Sequence, residues 1–479
     1  MTTAPDAGRV AETASAQPLS SAGLPQPQRA LAITAVLAAM TLVVLDAGMV
    51  NVALPTMTRA LATTPAQVVL VITAYQTALV MALLPCAALG ERFGNRRVFQ
   101  VGVAIFVTSS VLCAISPSLP WLVAARFLQG LGGAAVMALG VALLRFSVAP
   151  GELGAAIGWN ALAVALSSAA APTIGALIVA HSDWPWLFLV NLPTGGIVLL
   201  ASLALPGPPR LANRVDLPSM GLNGATFGLL VIGAEILPKS PKWAAVFFVA
   251  AAFALTVLAR REASKAAPLI PLDLLSSRTI RLSVIASMCC FTATAAALVA
   301  LPFYFQHGLN QPPLMVGLSM SPWPLSVAVA AAISGRLSDR LSTALLCTAG
   351  GGLLAVGLAA MALWPLHGSP YPLIALSAVC GVGFGLFQVP NNRNMFLAAP
   401  PDRSGAAGGM QGTARLSGQT AGAVLMTVLF TMTPLTMAPR IGLGIGAVLA
   451  LASGLVSLLR SPEKGGPIHA GHHVPGNKD

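Results

Sequence analysis

Residues 42–57 read Leu42-Val-Val-Leu-Asp46-Ala-Gly-Met-Val-Asn-Val-Ala-Leu-Pro55-Thr-Met57 and set one acidic side chain inside an apolar run from about Ala30 to Pro55. A run of that length crosses the roughly 30 Å hydrocarbon core as a helix. A bare carboxylate at that depth costs roughly 3 kcal/mol or more. It therefore faces a protein interior or a wet cavity and is either neutralised part of the time or permanently paired. The first case makes Asp46 the proton carrier of a transporter; the second makes it a structural anchor.

Outward from this span the same composition continues: hydrophobic residues make up 56% of the chain and charged residues 8%. No soluble domain of this length needs that much apolar surface, so the chain is a polytopic membrane protein. Runs of spanning length lie at about 30–54, 66–89, 97–115, 119–147, 152–180, 184–205, 217–237, 243–259, 281–306, 312–335, 343–365, 370–392, 404–432 and 441–459. The net charge of +12 does not mark a nucleic-acid binder, because the basic residues are spread over short loops. With alternate loops in the cytoplasm, only Arg59, Lys239, Lys242 and Arg440 fall on the far side, and Arg126 and Arg415 lie within spans, out of 26 Lys and Arg. That asymmetry supports an even number of spans and cytoplasmic termini.

The layout is a cytoplasmic tail at 1–29, six spans over 30–205, a linker at 206–280 with an inserted helix pair (217–237 and 243–259), six spans over 281–460 and a tail at 461–479. The inserted pair carries one acid, Glu235. A short acidic-basic turn after span 2, Glu91-Arg92-Phe93-Gly94-Asn95-Arg96, recurs after the matching span of the second six as Asp339-Arg340. Parallel six-helix repeats give such an echo. The 6 cysteines fall within apolar runs without CxxC spacing and read as small buried hydrophobes. His469, His472 and His473 read as part of a solvated tail, with weak metal binding as the alternative.

Arg126, Gln129 and Gly133 are spaced i, i+3, i+7 and share one helix face. Arg126 lies roughly 10 Å below the outer end of its span and Asp46 roughly 13 Å below Pro55, so the two charges are level. Their pairing, direct or through water, either exchanges a proton when it rearranges or statically fixes helix packing. Pro172 bends span 5, which suits a hinge, a seal or a bend without switching. Gln411, Arg415 and Gln419 form a polar stripe on span 13, and Gln388 and Asn391 sit near the inner end of span 12. With Tyr75, Gln76, Gln129, Phe291, Phe303 and Tyr304 they are the residues expected to line a central substrate cavity. Arg415 has no carboxylate partner in the second-half spans, so carbonyls, amides, water or a substrate must satisfy it. No nucleotide-binding loop, hydrolytic constellation, metal cluster or output domain accompanies these spans, which argues against an enzyme or a sensor.

At these residues the chain resembles the major facilitator superfamily, and within it the fourteen-span drug:proton antiporters of the quaternary-ammonium and methyl-viologen efflux type. The first-span signature appears as Leu45-Asp46 and Val50 to Pro55, the loop motif as Glu91, Arg92, Gly94 and Arg96, the span-4 motif as Arg126, Gln129 and Gly130, and the antiporter motif as Pro172 and Gly175. Trp184-Pro185-Trp186 with Asn191-Leu192-Pro193, Pro390-Asn391-Asn392-Arg393 and Thr413-Ala414-Arg415 resemble further segments of the branch. Ala87, Glu91, Asn95 and Ala171 depart from its usual residues. The resemblance implies an all-α polytopic membrane protein of two six-helix bundles plus two inserted helices. It also implies alternating access, a proton gradient in place of any cofactor, and a monomer in the bacterial inner membrane. The expected cargo is lipophilic compounds, cations foremost. Two deep arginines against one deep aspartate leave the cavity net positive, which keeps a neutral, zwitterionic or anionic cargo such as an amino acid, siderophore or antibiotic as the alternative.

Overall fold

A computed structural model describes residues 23–207, 216–263, 265, 271–365, 368–400 and 403–460, and these form an all-α chain. The tail histidines and the loop arginines Arg210 and Arg214 lie outside the described residues. In order, the helices are α1 (Gln28–Ala60), α2 (Pro65–Phe93), α3 (Asn95–Ala114), α4 (Leu119–Ser147), α5 (Leu153–His181), α6 (Trp186–Leu189), α7 (Asn191–Ala201) and α8 (Leu217–Ile236). They continue with α9 (Pro241–Ala263), α10 (Arg278–Phe303), α11 (Pro313–Met320), α12 (Pro322–Leu337), α13 (Thr343–Leu363), α14 (Tyr371–Leu397), α15 (Ser404–Met432) and α16 (Ala438–Leu458). Thirteen spans among the described residues are long and apolar enough to cross a membrane, α6–α7 and α11–α12 each acting as one. The fourteenth long helix, α15, has 29 residues and carries the Gln411, Arg415, Gln419 stripe that lowers its hydropathy.

Helix boundaries follow local chemistry. Thr64 caps α2 through a reciprocal bond with Gln67, Asp216 caps α8 at the Ser219 amide, and Ser342 caps α13 at the Leu345 amide. Pro65, Pro120, Pro241 and Pro313 occupy first turns, where no N–H is missed. α1 differs from the sequence reading, for it runs through Pro55 to Ala60. Membrane helices tolerate an internal proline, which here removes the single bond that the Asn51 carbonyl would accept. Gly94 joins α2 to α3 in a single residue with φ of 97°, a conformation that favours glycine.

One end of the helices carries most of the basic residues, from Arg29 to Arg460, and is called the basic end below. α1 to α7 pack on one another through α1 with α4, α5 and α7, and through α2 and α3 with α4. α10 to α16 form the second group through α10 with α15 and α16, α12 with α14, and α13 with α14 and α16. The groups meet along α2–α15, α5–α11 and α5–α12, with lighter contact of α1 on α10.

Away from the basic end this interface is closed. A Cβ on Gly317 of α11 would lie 2.4 Å from the Ala176 Cβ and 2.5 Å from the Pro172 carbonyl oxygen of α5. Thr173 and Ser321 share a hydrogen bond of 2.6 Å across the same seam. Toward the basic end, Gly151, Gly154 and Gly158 before and within α5, and Gly335 in α12, have no neighbour within 4 Å of a would-be Cβ. The two groups are therefore sealed at one end, while at the other these faces of α5 and α12 stand open. Gly317→Leu should force the seal open, at about 1–3 kcal/mol for overpacking. Spin-label distances across α5 and α11 should lengthen; unchanged distances would show that this contact does not hold the seal.

The inserted helices α8 and α9 pack on each other, and α8 touches both α2 and α15. At the basic end Lys265 donates to both Asp216 and Glu262, and Arg261 reaches Asp216 at 3.2 Å, tying the start of α8 to the end of α9. The hydrogen bond from Lys265 holds Asp216 well below the usual carboxylate range. Desolvation opposes the Lys265 charge, but its bonds to Asp216 and Glu262 outweigh that and raise its pKa. The Asp216 contribution is complete above the ordinary carboxylate pKa of about 4 and is lost as pH falls through the lowered value. The Lys265 contribution is complete below about 10 and is lost as pH rises through the raised one. Asp216→Asn should loosen the pair by about 1 kcal/mol, the scale of a half-exposed ion network. Faster amide exchange over 217–221 at neutral pH is the expected readout, with the difference from the parent vanishing in strong acid.

Candidate proton and substrate site

Small residues bring the charged side chains together. A Cβ on Gly130 of α4 would lie 2.4 Å from the Tyr75 carbonyl oxygen of α2, a spacing only glycine permits. One helical turn away, Arg126 lays its guanidinium 4.2 Å from the centre of the Tyr75 ring and 5.6 Å from that of Phe188. Its Nη1 donates to Asp46 Oδ2 at 2.5 Å, with the two side chains 1% and 0% exposed. The same Nη1 lies 2.6 Å from Gln129 Oε1, and Nε donates to the Val71 carbonyl at 3.3 Å.

The other carboxylate oxygen is equally occupied. Asp46 Oδ1 accepts from Gln129 Nε2 at 3.0 Å and from Asn191 Nδ2 at 2.7 Å, at the start of α7. Both amides also donate to the Ser110 hydroxyl of α3, at 2.8 and 3.3 Å, and the Cys113 thiol lies 3.8 Å from Gln129 Oε1. A desolvated ion pair with this many charge-assisted bonds is strongly held, and removing one member strands the other. The Tyr75 hydroxyl is buried beside it with no hydrogen-bond partner. Asn191, Ser110 and Cys113 were not among the site residues expected from sequence. Asn191 had a signal, being a polar residue opening an apolar span, but its distance of 145 positions from Asp46 hides the contact.

Arg415 is placed differently. On α15, Gly412 abuts Leu83 of α2 while Gly418 abuts Met288 and Phe291 of α10. Arg415 lies between those two contact lines on the helix surface, so it points toward the space between the two helix groups. It is half-buried, its Nε is enclosed without a partner, and no hydrogen bond or ion pair among the described residues engages its guanidinium. Gln411 and Gln419, one turn to each side, are half-buried on the same stripe, as are Gln76 of α2, whose Oε1 is unpartnered, and Gln388 of α14.

Other residues expected in the cavity are engaged elsewhere. Asn391 is fully buried: its Nδ2 donates to the Ser287 hydroxyl at 2.7 Å and its Oδ1 accepts from Arg460 Nη2 at 2.5 Å. It is committed within the second helix group because Arg460 needs an interior acceptor. Tyr304 donates to the Trp364 carbonyl at 3.0 Å, far from the basic end. Phe303 packs 4.7 Å from Phe430 and stacks 6.0 Å from His307, while Phe291 meets Phe384 edge-on at 5.3 Å. Gln129 sits on Asp46 rather than in the open space.

The turn motifs also divide. Asp339 accepts from Arg393 at 2.8 Å, and Arg96 donates to the Leu205 carbonyl at 3.2 Å. Glu91 and Arg340 are exposed and make no ion pair among the described residues, and Arg92 lies over its neighbour Phe93. Pro172 stands at the closed seam, against Gly317, while Gly175 packs on Met49 of α1 inside the first helix group. No cluster of three or more His, Cys, Asp or Glu that could hold a metal occurs among the described residues.

Comparison with known proteins adds the context of this arrangement. The family model described as Major Facilitator Superfamily matches residues 36–423. The chain is 40% identical over 446 residues to the uncharacterized transporter YebQ of Escherichia coli K12, covering 91% of this chain and 97% of that one. It is 28% identical to the riboflavin transporter RibZ of Clostridioides difficile 630, covering 78% and 81%. To the multidrug resistance protein Stp of Mycobacterium tuberculosis CDC 1551 it is 30% identical, covering 84% and 76%.

Proposed function

This chain belongs to the major facilitator superfamily, and from that premise we propose that it is a proton-coupled exporter whose cargo is neutral, zwitterionic or anionic. One observation carries the choice of cargo. The Asp46 carboxylate is spent on Arg126, Gln129 and Asn191 inside the first helix group, while the charge turned toward the space between the groups is the unpartnered Arg415. A cationic cargo would meet repulsion there and no free carboxylate, whereas a carboxylate, phenolate or carbonyl oxygen would complete the Arg415 bonds. The 28% identity to a riboflavin transporter supports a cargo without positive charge.

In this reading the protein lies in the bacterial cytoplasmic membrane with the basic end in the cytoplasm, as the distribution of Arg and Lys favours. The structure then corresponds to a cytoplasm-open state in which Asp46 has given up its proton and closed on Arg126. Cargo enters from the basic end, where α5 and α12 present open faces, and binds at Arg415. Opening of the far end lets cargo leave and lets an external proton reach Asp46. The neutral acid loses its Coulombic hold on Arg126, frees α1 from α4 and α7, and returns the two halves to the cytoplasm-open arrangement, where Asp46 releases the proton to the cytoplasm and closes on Arg126 again. The 30–205 and 281–460 segments act as the rocking halves, and Pro172 and the Glu91 and Asp339 turns act at the two ends of the seam.

The rival is export of lipophilic cationic drugs, supported by the 30% identity to Stp. Inverted membrane vesicles with an imposed pH gradient separate the two. Gradient-driven accumulation of flavins or other carboxylate- or carbonyl-rich compounds, with none of quaternary-ammonium dyes, is the expected result. Accumulation of the dyes alone would reverse the assignment.

A further inference from the structure

We propose that Glu235, on the inserted helix α8, is a second proton-binding site, and that it reads the seam between α2 and α15. This goes beyond proton exchange at Asp46 and stands apart from it, since the two carboxyls lie in different helix contacts. Glu235 is in the last turn of α8, and its carboxyl sits beside the hydroxyls of Thr73 on α2 and Thr427 on α15. Its Oε1 is fully enclosed with no hydrogen-bond partner. The two threonine hydroxyls donate to carbonyls of their own helices, Thr73 to Val69 and Thr427 to Ala423, each at 3.3 Å. That is long for an O–H···O bond, so either hydroxyl can turn to the carboxyl when the spacing changes.

The position is what gives this carboxyl a function. α2 belongs to the first helix group and α15 to the second, so Glu235 is an acid on a third element touching both sides of the moving interface. α8 is fixed to α2 by Asn223, whose Nδ2 donates to the Met81 carbonyl at 2.8 Å. When the groups rock, Thr427 moves relative to a carboxyl that stays with α2. The number of hydroxyls within reach then changes, and proton affinity changes with it. Linkage makes the effect reciprocal, so pH at this site biases which end is open. The charged group acting on Glu235 is Lys239, which is exposed and makes no ion pair with it; α2 and α15 present hydroxyls at this level. Lys239 also borders a largely apolar cavity of about 780 Å³ with Gln67, Leu70 and Phe127.

Acid-minus-base infrared difference spectra of the reconstituted full chain read buried carboxyls directly. The expected spectrum has two protonated-carboxyl bands, of which Glu235→Gln loses one, Asp46→Asn loses the other, and Glu235→Asp restores the first at a shifted frequency. Thr427→Val keeps the carboxyl but removes a donor, and should move the midpoint of the Glu235 band by about one pH unit, a tenfold change in proton affinity. A Glu235→Gln spectrum identical to the parent, or a midpoint unmoved by Thr427→Val and Thr73→Val alike, would overturn the proposal. Loss of the Asp46 assignment alone would leave it standing.

Discussion

Asp46→Asn is expected to reduce gradient-driven transport to the rate seen without a gradient and to destabilise the protein by about 3–5 kcal/mol, the scale of breaking a buried ion pair. Asparagine matches the shape of aspartate but presents N–H groups where Asp46 now accepts from Arg126, Gln129 and Asn191. At least one donor then faces another donor, and the Arg126 guanidinium loses its counter-charge in a site closed to water. The double variant Asp46→Asn with Arg126→Gln removes both charges, and should recover much of the thermal stability without recovering the response to a gradient. Thermal unfolding in detergent and flux in vesicles check the two halves of this expectation. A static structural pair predicts a different pattern, with coupling returning as stability returns.

Arg415→Gln is expected to act with opposite signs on affinity and stability. Charge-assisted hydrogen bonds to a cargo oxygen contribute about 1.5–3 kcal/mol, so the substitution should weaken cargo binding by about 10- to 100-fold. The same substitution removes an unpartnered cation from a half-buried position, so the unfolding temperature should hold or rise. Arg415→Lys should recover little of the affinity, because an ammonium cannot reproduce the planar fork of a guanidinium. The binding constant of a transported flavin or carboxylate, set beside the unfolding temperature, is the paired measurement. A fall in stability with unchanged binding would move Arg415 from the cargo site to the packing of α15.

The contrast between Asp46 and Asn391 shows what the sequence carries and what it leaves out. Helix rise is fixed, so counting residues from the ends of two spans places Asp46 and Arg126 at one depth, and they meet at 2.5 Å. Periodicity likewise puts Gln411, Arg415 and Gln419 on one face of α15. Neither count says which neighbour a face meets. In a membrane helix a polar side chain serves a cavity or an interhelical bond equally well, and for Asn391 it is the bond, to Ser287 and Arg460. Asn191 and Ser110 were missed for the same reason, since their approach to Asp46 depends on how α3 and α7 dock against α1 and α4. The internal breaks at Val190 and Ser321, and the passage of α1 through Pro55, also lie beyond hydropathy, because the surrounding residues stay apolar. Glu235 was visible as a lone acid in the inserted pair, but its place at the α2–α15 seam required the packing of α8.

Proton release on cargo binding tests the central claim most directly. Purified protein in weakly buffered detergent solution, with a pH-sensitive dye, is mixed with a transported cargo over a series of starting pH values. In a Glu235→Gln background the protein should release protons in proportion to bound cargo, and adding Asp46→Asn should preserve cargo binding and abolish the release. Equal proton release from both proteins would contradict the assignment of Asp46 as the group whose charge changes during transport.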